Sequence, residues 1–380
     1  MSERRSITTS SRRNSAWAAA VSKLQSTVSE VLPSSSTNAP VTIDPLRIVG
    51  NELKFLSKNI RQLLGSGHPV LDTVAKYYTQ SEGKHVRPLL VLLMSRATAN
   101  TPKHTRISQH ELSESAINTP ISSPSVLYDN NPDQAASPLT DESKYAFAND
   151  PSILPSQRRL AEITELIHTA SLLHDDVIDL SETRRGEASA NTTFGNKMAV
   201  LAGDFLLGRA SVALARLRDP EVIELLATVI ANLIEGEFMQ LKNTAMDEKN
   251  PRFSEEAISY YLQKTYLKSA SLISKSCRAA ALLGECAPSV VEAAYAYGRN
   301  LGLAFQLVDD MLDYTISGTE LGKPAGADLE LGLATAPLLF AWRSRPELGQ
   351  LVGRRFAQDG DVQKVSFYHK LLFCTHTDMP

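Results

Sequence analysis

Two short stretches of the chain gather carboxylates where apolar residues would be expected. "LLHDDVIDL", residues 172–180, holds Asp175, Asp176 and Asp179, and "QLVDDMLDY", residues 306–314, holds Asp309, Asp310 and Asp313. Both have the form DDxxD. On a helix, positions i and i+4 share a face, so Asp175 and Asp179 are expected to point one way, and so are Asp309 and Asp313. The middle aspartates, Asp176 and Asp310, are turned about 100° round the axis and serve as support or as extra ligands. Unpaired carboxylates are costly to bring together in an apolar surround, so something positive must sit between them. No nearby Cys or His cluster suggests zinc. An oxygen-only set suits a hard cation such as Mg²⁺, which is usually held by a few carboxylates plus phosphate oxygens. The chemistry expected is a metal–diphosphate clamp.

A diphosphate also needs donors that are not metal. "EGKHVRP", residues 82–88, supplies Lys84 and Arg87, with Gly83 permitting close backbone approach. "SETRRGEAS" follows the first acidic motif and supplies Arg184 and Arg185, whose planar forks suit phosphate. Lys268 lies in "YLKSASL" and Lys323 in "ELGKPAG". Singly each reads as a surface cation; beside two acidic motifs they read as a set. His168 stands two helical turns before Asp175 on the same face and is expected to touch ligand, whereas His174 reads as a structural histidine.

These residues need long helices to carry them. From residue 42 the apolar positions Leu46, Val49, Leu53, Leu56, Ile60 and Leu63 recur at helical spacing. Further helical segments are expected near 70–80, 85–100, 157–180, 195–217, 219–246, 254–283 and 288–315. No stretch alternates as a strand does. The expected fold is all-α, a bundle of long antiparallel helices round an apolar cavity. Residues 101–155 contain seven prolines and few large apolar groups, and read as a disordered insertion. Residues 1–41 differ again: the first 40 hold eleven serines, with Arg4, Arg5, Arg12, Arg13 and Lys23 against only Glu3 and Glu30. Such a start resembles a mitochondrial transit segment. A net charge of −3 gives no sign of a nucleic-acid partner, and three cysteines make no disulfide framework. No apolar run reaches the roughly 18 residues of a membrane span.

The motifs "GKHVRP", "IHTASLLHDDVIDLSETRRG", "GDFLLGRA", "YLKSASL", "FQLVDDMLDY" and "LGKPAGADL" occur in the order found in the trans-prenyltransferases, or isoprenyl diphosphate synthases. The chain resembles that family over residues 42–364, and within it the fungal mitochondrial long-chain polyprenyl diphosphate synthases that make the ubiquinone side chain. The resemblance implies Mg²⁺-dependent elongation of an allylic diphosphate primer with isopentenyl diphosphate, with about three Mg²⁺ ions per site. It gives both DDxxD motifs to the metal-bound allylic diphosphate, with Asp175, Asp179 and Asp309 as metal ligands. Arg184, Lys268 and Lys323 would assist there, with Gln306 beside them. Gly83, Lys84, Arg87, His168 and Arg185 would bind isopentenyl diphosphate. The family usually shows Lys-Thr where this chain has Lys268-Ser269, and the hydroxyl survives. Asp204 reads as structural, pairing with a neighbouring Arg. Ala170 and Ser171, one turn before Asp175, are small enough to leave a product tunnel open and so predict a long product. The resemblance further implies a matrix location, if membrane-associated then peripherally, and a homodimer or heteromer.

The likeness stops after "GDVQKV", residues 360–365, and the chain continues as "SFYHKLLFCTHTDMP". A retained intron in the gene would explain that tail; if instead the chain is real as it stands, part of the bundle wall is expected to be missing. Two competing readings follow: a non-catalytic subunit of a heteromeric synthase, and a short-chain geranylgeranyl-type synthase. A terpene cyclase is disfavoured by the second DDxxD and by "GKHVRP".

Overall fold

The computed structural model describes residues 48–50, 52–53, 56, 59–60, 66, 68–80, 85–104, 152–184, 186–243, 252–315, 327–330, 332–358 and 360–365. The transit-like segment 1–41, residues 105–151 of the insertion and the tail 366–380 lie outside them, as do Gly83, Lys84, Arg185 and Lys323.

The helices are α1 (Pro69–Gln80), α2 (Val86–Thr98), α3 (Pro155–Ile178), α4 (Ala190–Phe194), α5 (Asn196–Ala215), α6 (Pro220–Asn243), α7 (Glu255–Thr265), α8 (Ser271–Leu283), α9 (Pro288–Thr315), α10 (Ala327–Glu330), α11 (Ala336–Ser344) and α12 (Leu348–Gly353). A π-helical turn, Tyr266–Ala270, joins α7 to α8. It interrupts the single helix expected over 254–283. A hairpin of two-residue strands, β1 (Thr183–Arg184) and β2 (Glu187–Ala188), pairs antiparallel after α3, where no strand was expected. Strands that short leave no alternation to read.

Central to the bundle is α3. Pro155 occupies its first turn, where a missing N–H costs nothing, and the Gln157 side chain accepts from the Leu154 amide at 2.8 Å. Leu160, Ile163, Leu166, Ile167, Ala170 and Leu173 are buried along it. Polar groups at its far end find partners: Thr164 Oγ1 meets Ser276 Oγ at 3.0 Å, and Glu162 pairs with Arg159 at 2.7 Å. Around α3 stand α5, α2 and α8, while α9 packs on α8 and the π turn.

By length and mean hydropathy α5 could cross a membrane. Lys197, Asp204 and Arg209 break its apolar run in sequence, but at helical spacing they leave it apolar overall. It packs along α3, as a core helix does. At the crossing, a Cβ on Gly203 would stand 2.2 Å from His174 Nε2, so glycine there makes room for the imidazole.

The ends of the insertion belong to the fold. Lys103 bridges Cys286, the His104 amide donates to Glu285 O at 2.8 Å, and Ile153 is buried. A second apolar cluster gathers Tyr261, Tyr314, Leu329, Leu338, Leu339, Trp342, Leu348, Leu351 and Phe356. It packs the short helices beyond residue 327 against Tyr261 of α7 and Tyr314 of α9.

Candidate active site

The last turn of α3 carries Asp175 and Asp176, and Asp179 caps the helix, its amide donating to Asp175 O at 2.8 Å. Ser181 N donates to Asp176 O at 3.0 Å while Leu180 takes φ 52°, which closes the helix with a Schellman-type turn. A leucine in the left-handed region is a strained choice, roughly 1 kcal/mol above glycine there. The turn throws the chain into the β1–β2 hairpin and brings Arg184 back.

Asp176 is fully buried and both its oxygens are taken. Arg184 Nε donates to each at 2.9 Å, and Nη2 donates to Oδ1 at 2.5 Å. The Tyr78 hydroxyl from α1 donates to Oδ2 and accepts from the Ala190 amide at 2.9 Å. Burial and the adjacent carboxylate hold the Tyr78 phenol well above its ordinary pKa.

The second motif repeats this plan. Asp310 is 4% exposed; Tyr261 Oη donates to its Oδ2 at 2.6 Å and Gln306 Nε2 to its Oδ1 at 2.8 Å. Gln306 Oε1 in turn accepts from Ser269 Oγ at 2.7 Å. Each middle aspartate is thus an anchor gripped by a tyrosine from another helix.

Asp309 and Asp313, i and i+4 in α9, differ in how far they are covered. Asp309 is exposed, whereas Asp313 is 1% exposed and accepts from the Asp328 amide at 3.2 Å. Asp328 of α10 thus lies against Asp313 and helps to cover it.

Lys268 sits on the π turn between the two clusters. Its ammonium lies 2.6 Å from Glu237 Oε2 and donates to Gln240 Oε1 at 3.1 Å, both on α6. It also attracts Asp175 and Asp179, while Glu237 repels them. Adjacent residues of one turn therefore serve one motif each, Lys268 the first through its charge and Ser269 the second through Gln306. Lys264, buried one turn earlier, feels Asp310 and Asp328 on one side and Lys268 and Glu237 on the other; burial lowers its pKa.

Asp175 is pushed up to about 6, first by burial and then by Glu237 and Asp179, against the pull of Lys268 and Arg184. Asp179 shifts upward for the same first cause. Among the described residues, the cations acting on Asp175 and Asp179 are Lys268 and Arg184, and Arg184 is committed to Asp176. An oxygen-only, net negative patch of this kind fits Mg²⁺. Among the described residues no three acidic, His or Cys groups form a ready cage, so phosphate or water would complete the shell.

On α2 and α3, Arg87 Nη1 donates to His168 Nε2 at 2.8 Å, which makes Nδ1 the protonated nitrogen of a neutral imidazole. His85, at φ 42°, bonds Glu165 at 2.9 Å just beside them. His174 meets Val200 O at 3.3 Å and Asp204 at 3.4 Å, so the neighbour of Asp204 is a histidine rather than the arginine expected. Ala170 is fully buried, and Ser171 Oγ donates to His168 O at 2.9 Å.

Tyr78, Tyr261, Glu237, Gln240 and Lys264 were missed in the sequence. Each is a single polar residue in a helix, and none carries a spacing signal.

Residues 138–368 match the family model described as polyprenyl synthetase. The chain is 68% identical over 356 residues to "Probable hexaprenyl pyrophosphate synthase, mitochondrial" of Neurospora crassa, covering 93% of this chain and 78% of that one. It is 49% identical to "Hexaprenyl pyrophosphate synthase, mitochondrial" of Saccharomyces cerevisiae, covering 84% and 80%. Among solved structures it is similar to a polyprenyl synthase from Caulobacter crescentus complexed with calcium and isoprenyl diphosphate. The TM-score is 0.64 at 28% identity, over 86% of this chain and 83% of that one. With its paired acidic motifs and bridging lysine, this chain belongs to the polyprenyl synthetase family.

Proposed function

We propose that the chain condenses isopentenyl diphosphate onto an allylic diphosphate, in repeated rounds, to a long all-trans polyprenyl diphosphate for the ubiquinone side chain in mitochondria. One observation supports the reading: the π turn lets the Lys268 charge, tethered to Glu237, act on the first acidic motif and ties Ser269, through Gln306, to the second. Relatives named hexaprenyl synthases favour six isoprene units.

Asp175, Asp179 and Asp309 would hold Mg²⁺, which supplies charge neutralisation at the diphosphate. Lys268, with Lys323, meets the negative charge that builds on the leaving group as the allylic C–O bond breaks and its electron pair departs with diphosphate. Arg184 contributes by fixing Asp176 and the hairpin. Arg87 and His168, with Gly83, Lys84 and Arg185, orient isopentenyl diphosphate so that its double bond attacks the allylic cation. The proton then lost from the new chain passes to a diphosphate oxygen, since no side chain in the described site is an evident base. The apolar walls keep water from quenching the cation.

Purified chain alone is expected to incorporate labelled isopentenyl diphosphate only with Mg²⁺. No incorporation alone, restored by a partner subunit, would convict the non-catalytic reading instead. Replacing Ala170 with Phe is expected to shorten the product on chromatography; an unchanged length removes the tunnel from that position.

A further inference from the structure

Glu237 lies outside both DDxxD motifs, yet it is 8% exposed and its carboxylate stands 2.6 Å from Lys268 Nζ. The ammonium is near but poorly aligned, so neither Glu237 oxygen has a proper hydrogen bond and the ion pair is its compensation among the described residues. A part-buried ion pair contributes little net stability, and so points away from a purely structural use. Three features of α6 converge on the same lysine. Gly236 lets the π turn come close: a Cβ there would stand 2.9 Å from Lys268 N and 3.1 Å from its Cβ. Glu237 follows directly, and Gln240, one turn on, accepts from the ammonium at 3.1 Å.

The Lys268 charge also acts on carboxylates of the first motif. It is the leading cation acting on both Asp175 and Asp179. Freed from α6, its flexible arm would settle on those two aspartates and occupy the place of a metal ion.

We propose that Glu237 is a positioning residue: it tethers the Lys268 ammonium to α6, holding it off Asp175 and Asp179 and leaving them open to divalent cations. The inference rests on the prenyl-transfer reading of this site.

The test is a double-mutant cycle read by calorimetry, titrating inorganic pyrophosphate with excess Mg²⁺ into the full chain. E237Q, which is isosteric, is expected to weaken binding roughly tenfold or more. E237D keeps the charge on a shorter arm and should recover part of the loss. In a K268M background the Glu237→Gln change should cost nothing further, because the competing ammonium is gone. Wild-type affinity in E237Q overturns the proposal. So does an equal loss in both backgrounds, which would mean that Glu237 acts on the metal directly. Prenyl transfer by the wild-type chain is assayed separately: its absence overturns the catalytic reading, whereas the binding cycle decides the tether by itself.

Discussion

At the level of single residues, the charge on Asp175 sets how the site answers to pH. Its folded pKa, about 6, lies above the ordinary carboxylate value, chiefly through burial. The ionised form therefore weighs against the metal-free fold above pH 6, and that burden is relieved as pH falls through the window from about 6 to 3.8. Mg²⁺ needs the ionised form, so its effect has the opposite sign. Thermal melts are expected to show Mg²⁺ with pyrophosphate raising the melting temperature strongly at pH 7.5 and little at pH 5. Equal stabilisation at both pH values would remove Asp175 from the metal. The i, i+4 spacing made Asp175 and Asp179 legible in the sequence. It said nothing of how deeply Asp313 would be covered, because what covers that side chain comes from α10, distant in sequence. Tyr78 and Tyr261 could not be read at all: a tyrosine in an apolar helix looks the same whether its hydroxyl meets water or an aspartate.

At the level of elements, the spacing between the two motifs is set by how α9 lies on the π turn and α8. Gly298 and Gly302 make that contact. A Cβ on Gly302 would stand 2.7 Å from Ala270 Cα, and one on Gly298 2.8 Å from Ser274 Cα. Both approaches are to backbone, which cannot yield as a side chain can. G302A is expected to cost about 1–3 kcal/mol in chemical denaturation. It should also lower kcat, since α9 would shift and carry Asp309 and Gln306 away from Ser269. Unchanged denaturation midpoint and turnover would show that the helices slide freely there. Helical periodicity gave the long elements to within a few residues. It was silent on the π turn, where one extra residue leaves the apolar pattern almost intact. It was silent too on α10, α11 and α12, which run four, nine and six residues, too short for a period to repeat.

Across the whole molecule, one group of exposed apolar side chains among the described residues spans two neighbouring helices. Val200 and Leu201 on α5 and Ile234 and Phe238 on α6 are 38%, 58%, 54% and 62% exposed. The two helices are consecutive neighbours, so these residues lie at the same end of the pair. A second copy of the chain would cover them. F238D is expected to shift the protein from dimer to monomer in sedimentation at micromolar concentration, and a wild-type monomer would reject the covering copy. The first motif also lies at the end of a helix whose other turns are sealed in the core. Along α3, Leu160, Ile163, Leu166 and Ala170 have no exposure, whereas Ile178 is 46% and Leu180 74% exposed. Amide hydrogens on this one rod should exchange with deuterium across a steep gradient, slowest near residue 163 and fastest beyond 176. The mouth of the enzyme can thus breathe with each round of substrate while the mast that bears it stays still.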